Sequence, residues 1–208
     1  MRGEILASFA CVICMCFLIA GCAKELNEDD FINAYNNASV GTEFTKVVSF
    51  MAGEHELYDS QTLVVSEKDG KKMLTLKTIT KKLNELSLDS TDLYKITEST
   101  KYYFDGQVGE TVNGEIIWRE GLVTEVTGEW SSVKNPIKTN YFENFTINKE
   151  KDTFSARVKN DFYSVFLFEG VKDLNITIAL NQDSTMKNAE FTYTYNDINY
   201  NIDFSVKY

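Results

Sequence analysis

One histidine and one proline are all that the 208 residues contain, and no cysteine follows Cys22. A catalytic triad or a Cys–His pair needs a base, and His55 is the single imidazole on offer. It stands in Gly53-Glu54-His55-Glu56, which reads as a solvated polar loop. Zinc and iron sites draw on several His or Cys, so no metal centre is expected on donor count alone. No disulfide can form beyond Cys22, and the exported fold must rest on its core. Glycine-rich phosphate loops are also missing. Gly106 and Gly109 fall in a hairpin pattern and not ahead of a helix, so no nucleotide cofactor is expected. Lys and Arg number 21 against 31 Asp and Glu, a net charge of −10. Such a surface is a poor match for nucleic acid. Acidic pairs for hydrolysis are not excluded, but none stands out. The reading is non-enzymatic, with no catalytic residue assigned.

What the sequence does have begins with an apolar run from Ile5 to Ala20 that ends in Leu18-Ile19-Ala20-Gly21-Cys22. The run is short for a spanning helix and lies close to a small-residue site, as in a secretory signal peptide. Ile19-Ala20-Gly21-Cys22 resembles the lipobox of bacterial lipoproteins. The resemblance implies cleavage between Gly21 and Cys22, and a diacylglycerol on the Cys22 thiol with palmitate-type chains. Two or more acyl chains hold a protein on a bilayer far more firmly than one. Cys11, Cys14 and Cys16 then leave with the signal peptide, so Cys11-Val-Ile-Cys14 is no redox motif. The expected organisation is residues 1–21 as signal peptide and 22–30 as lipidated Cys and tether. Residues 31–208 form a single domain, monomeric, on the extracytoplasmic face of a bacterial cell membrane.

The patterning of that domain is mostly two-fold. A short helix comes first. Asn27 can cap it with Asp30 at the third position, and Phe31, Ala34, Tyr35 and Ala38 fall on one face. Residues 42–51 fit helix or strand, with strand preferred. Leu63 to Val65 and Met73 to Ile79 flank Glu67-Lys68-Asp69-Gly70 as a hairpin. Tyr102-Tyr103-Phe104, Asp105-Gly106, Val112, Asn113-Gly114 and Ile116-Ile117-Trp118 spell a three-stranded meander. Residues 130–141, with Pro136, read as a loop or short helix crossing the sheet. Phe145 to Ile147 and Phe154 to Val158 bracket another hairpin. Residues 161–168 are mostly apolar with no clear period, which leaves helix or buried strand open. Leu174 to Leu180, Phe191 to Tyr195 and Tyr200 to Tyr208 alternate as long strands with one wet and one dry face.

Lipobox, amphipathic helix and a long antiparallel meander with a Tyr-Tyr-Phe-Asp-Gly turn and Trp118 together look like the LolA/LolB-like group. The resemblance implies an α+β fold with an N-terminal helix packed on a strongly curved antiparallel sheet, an open half-barrel. It also implies a hydrophobic or lipid ligand in the concave face. On that reading Tyr102, Trp118, Phe191, Tyr193 and Phe204 are the candidate ligand-binding residues. The aromatic rows Phe191/Tyr193/Tyr195 and Tyr200/Phe204/Tyr208 otherwise serve as plain core. The alternative is a surface module docking a protein or wall polymer through a sheet edge or a basic hairpin. Lys68, Lys71, Lys72, Lys77, Lys81 and Lys82 supply the basic hairpin, unless they are wet-face residues guarding a sheet edge.

Overall fold

A computed structural model describes residues 25–84, 93–128, 135–166 and 168–208. The segment expected as signal peptide, with Gly21 and Cys22, and Trp130 of the expected crossing loop therefore lie outside the described residues.

Helix α1, Glu28–Asn36, starts where the cap chemistry puts it. The Asn27 side chain accepts from the Asp30 amide at 3.2 Å, and the Asp30 carboxylate accepts from the Asn27 amide at 3.0 Å. Glu28, Asp29 and Asp30 sit at the positive end of the helix. The first turn thus falls within the stretch read as tether. A short 3₁₀ turn, Ala38–Val40, closes the segment.

The strands are β1 (Glu43–Ala52), β2 (His55–Lys68), β3 (Lys71–Leu83), β4 (Tyr94–Phe104), β5 (Gln107–Val112) and β6 (Glu115–Glu120). After the one-turn helix α2 (Thr124–Thr127) come β7 (Phe142–Asn148), β8 (Thr153–Val158), β9 (Lys172–Leu180), β10 (Met186–Tyr195) and β11 (Ile198–Lys207). All pair antiparallel in one open 11-stranded sheet, ordered β6-β5-β4-β3-β2-β1-β11-β10-β9-β8-β7. The ambiguous residues 42–51 are strand, and β1 sits at the middle of the sheet, where the first and last strands meet.

Tight turns fix the registers. Asp69-Gly70, Asp105-Gly106, Asn113-Gly114 and Asn196-Asp197 all have positive φ. Two-residue hairpins whose twist suits the flanking strands need that conformation at both central positions. Side-chain parity then sorts the sheet into two faces. On the inner face, Phe44, Val48 and Phe50 of β1 stand beside Val206, Ile202 and Tyr200 of β11. Phe191 of β10 and Ile176 of β9 continue that face outward. The outer face carries short polar ladders. Thr45 and Thr62 hydroxyls lie 3.3 Å apart, Ser155 and Thr177 3.0 Å, and Asn188 donates to Asp203 at 3.0 Å.

Helix α1 lies against β8, β9 and β10 on the inner face. Phe31 stacks on Phe154 at 5.9 Å between ring centroids, and Tyr35 meets Phe191 edge-on at 6.4 Å. Phe31, Phe154, Leu174, Ile178 and Ala189 have no measurable exposure. Each large apolar side chain so buried contributes roughly 1.5–3 kcal/mol. At the other end α2 packs on β3 and β4, with Val126 and Val108 both fully buried.

Three expectations need correction. The stretch left open between helix and buried strand folds, over Asn160–Phe166, as a 3₁₀ helix and neither as α-helix nor as strand. Its tighter turn drops Phe166 between Phe142 and Phe191, while Phe162 stacks on Tyr141 at 4.4 Å. The lysine-rich strand guards no edge, because β3 is paired on both sides, to β2 and to β4. Two of its lysines face carboxylates instead: Lys71 meets Asp105 at 2.6 Å and Lys77 meets Glu98 at 3.1 Å. Lys81 lies over the Tyr94 ring at 4.1 Å. Finally, His55 opens β2 and is half-buried. Its Nδ1 is 2.9 Å from the Tyr94 hydroxyl, so it ties two strands together and is no loop residue.

Candidate functional site

The five aromatic candidates do not converge. Strand parity puts Tyr102 and Trp118 on the outer face, beside Gly109 of the strand between them. Their rings are 6.2 Å apart, and the contact depends on that glycine. A Cβ at position 109 would stand 3.0 Å from the Trp118 ring. Phe191 and Phe204 are on the inner face, each 2% exposed. Phe204 stacks on Phe44 at 6.4 Å, and Phe191 is enclosed by Tyr35, Phe166 and Phe168. Both are buried in the core among the described residues.

Tyr193 is different. It is half-buried and stacks on Tyr200 at 5.2 Å, and Tyr200 in turn contacts Phe50 at 5.1 Å. This row marks the limit of the filled core. Burial, with the neighbouring Tyr200, raises the pKa of the Tyr193 phenol, so it stays protonated.

Beyond the row part of the inner face is open among the described residues. A cavity of about 360 Å³ opens there, lined by Val48, Phe50, Leu57, Leu83, Asp59 and Thr80, with Tyr58, Lys81 and Lys82 at its margin. The Thr80 hydroxyl donates to the Asp59 carboxylate at 2.9 Å, so the one acid in the wall is already hydrogen-bonded. The rest of the wall is apolar. A second, more polar hollow of about 470 Å³ lies on the other side of the Phe50–Tyr200–Tyr193 row, lined by Ser49, Thr192, Asn199 and Asn201 among others. Chemically the inner cavity suits an aliphatic group with a polar or anionic end near the two lysines. The size falls in the range usual for small-ligand pockets.

Val48, Phe50, Leu57 and Leu83 were not among the sequence candidates. Phe50 and Leu57 are neighbours across the tight β1–β2 turn, which a hairpin reading of Gly53-Glu54 would have paired. The meeting of Phe50 with Tyr200 joins residues from opposite ends of the chain, and no local signal announces it. Among the described residues no group of three or more His, Cys, Asp or Glu is placed to hold a metal ion. No helix there is long and apolar enough to cross a membrane.

No family model matches the chain, and no curated protein matches it. Among solved structures it is similar to LprF from Mycobacterium bovis, with TM-score 0.40 and 9% identity over 86% of this chain and 92% of that one. It is also similar to a DUF1329 family protein from Desulfovibrio piger, with TM-score 0.24 and 10% identity over 86% of this chain and 90% of the other. Both scores are low, and the open antiparallel sheet stands on the chain's own strand registers.

Proposed function

We propose that this protein is a non-enzymatic bacterial lipoprotein, tethered through Cys22 to the outer face of the cell membrane, that holds a hydrophobic or lipid ligand against the inner face of its sheet. The inner face is read as the concave side of an open half-barrel. The single observation that carries the reading is the apolar cavity bounded by Val48, Phe50, Leu57 and Leu83. It lies on β1, β2 and the end of β3, away from β8, β9 and β10 on which α1 packs. Burying an acyl segment there returns roughly 25 cal/mol for each Å² of apolar surface removed from water. Lys82 at the margin offers a charge for an acidic headgroup.

Native mass spectrometry of the mature domain without its anchor, residues 23–208, checks the ligand. Every core residue lies between Phe31 and Val206, so this piece keeps the whole described core. The expected spectrum shows co-purified lipid adducts that Val48→Trp removes by filling the cavity. A bare mass in mild buffer, with no uptake of added fatty acid, contradicts the reading. Labelled palmitate checks the anchor. It should enter the wild type and not Cys22→Ser.

A further inference from the structure

The sheet has two edges, and they are built differently. β7 is blunted: Asn144 turns to φ 53 and the pairing with β8 slips between Glu143 and Thr146. Bulges of this kind twist an edge away from further strands. β6 has no bulge. It pairs with β5 in unbroken register over six residues, Gln107↔Glu120 to Val112↔Glu115. All six of its residues are exposed, among them Ile116 at 41%, Ile117 at 57% and Trp118 at 36%. A regular edge whose central Ile116, Ile117 and Trp118 are exposed among the described residues is a template for another strand.

The register identifies that strand. The two-residue turn Asn113-Gly114 makes Val112 and Glu115 a hydrogen-bonded pair. Alternation then directs the backbone groups of Glu115, Ile117 and Arg119 toward β5 and those of Ile116, Trp118 and Glu120 outward. An antiparallel second copy of β6 can pair only where outward residues face outward residues. That condition requires a two-fold axis through a residue and not between two. Charge then selects among the registers. An axis through Trp118 sets Ile117 against Arg119 and Ile116 against Glu120, with no charged pair. An axis through Ile117 sets Glu115 against Arg119 of the second copy, twice over, on either side of an Ile117–Ile117 contact. On the outer face the same register places Ile116 opposite Trp118.

We propose that β6 is a self-pairing edge, joining two copies of this chain into one continuous sheet about a two-fold axis at Ile117. Trp118 is prepared for it. Gly109 leaves space for the indole to lie over β5 against Tyr102, and Ile116 of the second copy extends that strip. Arg119 already binds Glu125 of its own chain at 2.6 Å, and a guanidinium has donors enough for a second carboxylate. Opposite charges in directly facing positions favour the pairing, and like charges there oppose it.

Cysteine cross-linking of the full-length protein in membranes tests the register. Facing residues at a non-hydrogen-bonded position have Cα atoms about 4.5 Å apart, inside the range a disulfide spans. Under mild oxidation Ile117→Cys should give a disulfide-linked dimer. Thr111→Cys on β5 and the unaltered chain, which keeps Cys22, should not. Adding Glu115→Arg to Ile117→Cys should remove most of the dimer by facing two arginines. Further addition of Arg119→Glu should bring it back, because the exchanged charges face each other again. Circular dichroism confirms that each variant is folded. A folded Ile117→Cys protein that forms no dimer overturns the proposal. So does equal linking through Thr111→Cys, a disulfide to some other protein, or failure of the charge exchange to restore linking.

Discussion

The two ends of the inner face carry the same kind of side chain and differ in what covers them. Under α1, strands β8 to β11 present Phe154, Ile176, Ile178, Phe191 and Phe204, and every one is buried at 2% exposure or less. Past Tyr193 and Tyr200, strands β1 and β2 present Val48, Phe50 and Leu57 to a cavity. Alternation alone therefore builds a dry face but does not say whether the protein or a ligand will dry it. The second layer decides, and here it is short. Among the described residues α1 covers β8, β9 and β10 and α2 packs on β3 and β4, which leaves part of the 11-stranded sheet open.

Truncation separates the two ends. Phe31→Ala removes the ring that joins α1 to Phe154 and should cost about 3–5 kcal/mol of unfolding free energy, read from urea denaturation of residues 23–208. A loss under about 1 kcal/mol would mean that the helix is not part of the core. Phe50→Ala at the open end should cost no more than about 2 kcal/mol, since the ring is only half-buried and its cavity already exists. It should nevertheless weaken binding of a fluorescent fatty acid. Equal stability losses at both positions would erase the distinction between filled and open ends. Asn27→Ala, which removes the α1 cap without touching either end, should cost about 1 kcal/mol and leave fatty-acid binding unchanged.

The smallest effect at neutral pH appears only in alkali. Burial under α1 raises the Tyr35 phenol well above its ordinary value, so the folded state keeps the proton that the unfolded chain gives up. The folded pKa is the higher one. That contribution is therefore complete below about pH 10 and declines as pH rises above it toward the folded value. Tyr35→Phe should flatten the alkaline limb of a stability–pH curve. An unchanged limb would mean that other groups govern alkaline unfolding.

Much of the fold was legible because turns and caps are local chemistry. Asp-Gly and Asn-Gly pairs marked three hairpins, and Asn27 with Asp30 placed the start of α1. The 3₁₀ helix at Asn160–Phe166 was not legible, since its apolar residues follow no clear period. The position of β3 in the interior was hidden for another reason: its lysines look like edge protection, and only the pairing with β4 shows otherwise. The candidate site was the least legible part. Parity passes faithfully through a two-residue turn, but it is lost across the longer connections that follow Leu83 and Glu120. Nothing in the sequence could therefore reveal that Tyr102 and Trp118 face away from Phe191 and Phe204. The wall of the cavity depends on β1 meeting β11, a pairing set by packing of the whole sheet.

The half-exposed row Phe50–Tyr200–Tyr193 is where the two ends meet, and a photoreactive fatty acid locates the ligand relative to it. After irradiation and peptide mapping, label should fall on residues 48–59 and 80–83, around Val48, Phe50, Leu57 and Leu83. Label confined to the outer face near Trp118, or no specific label at saturating probe, would contradict the account.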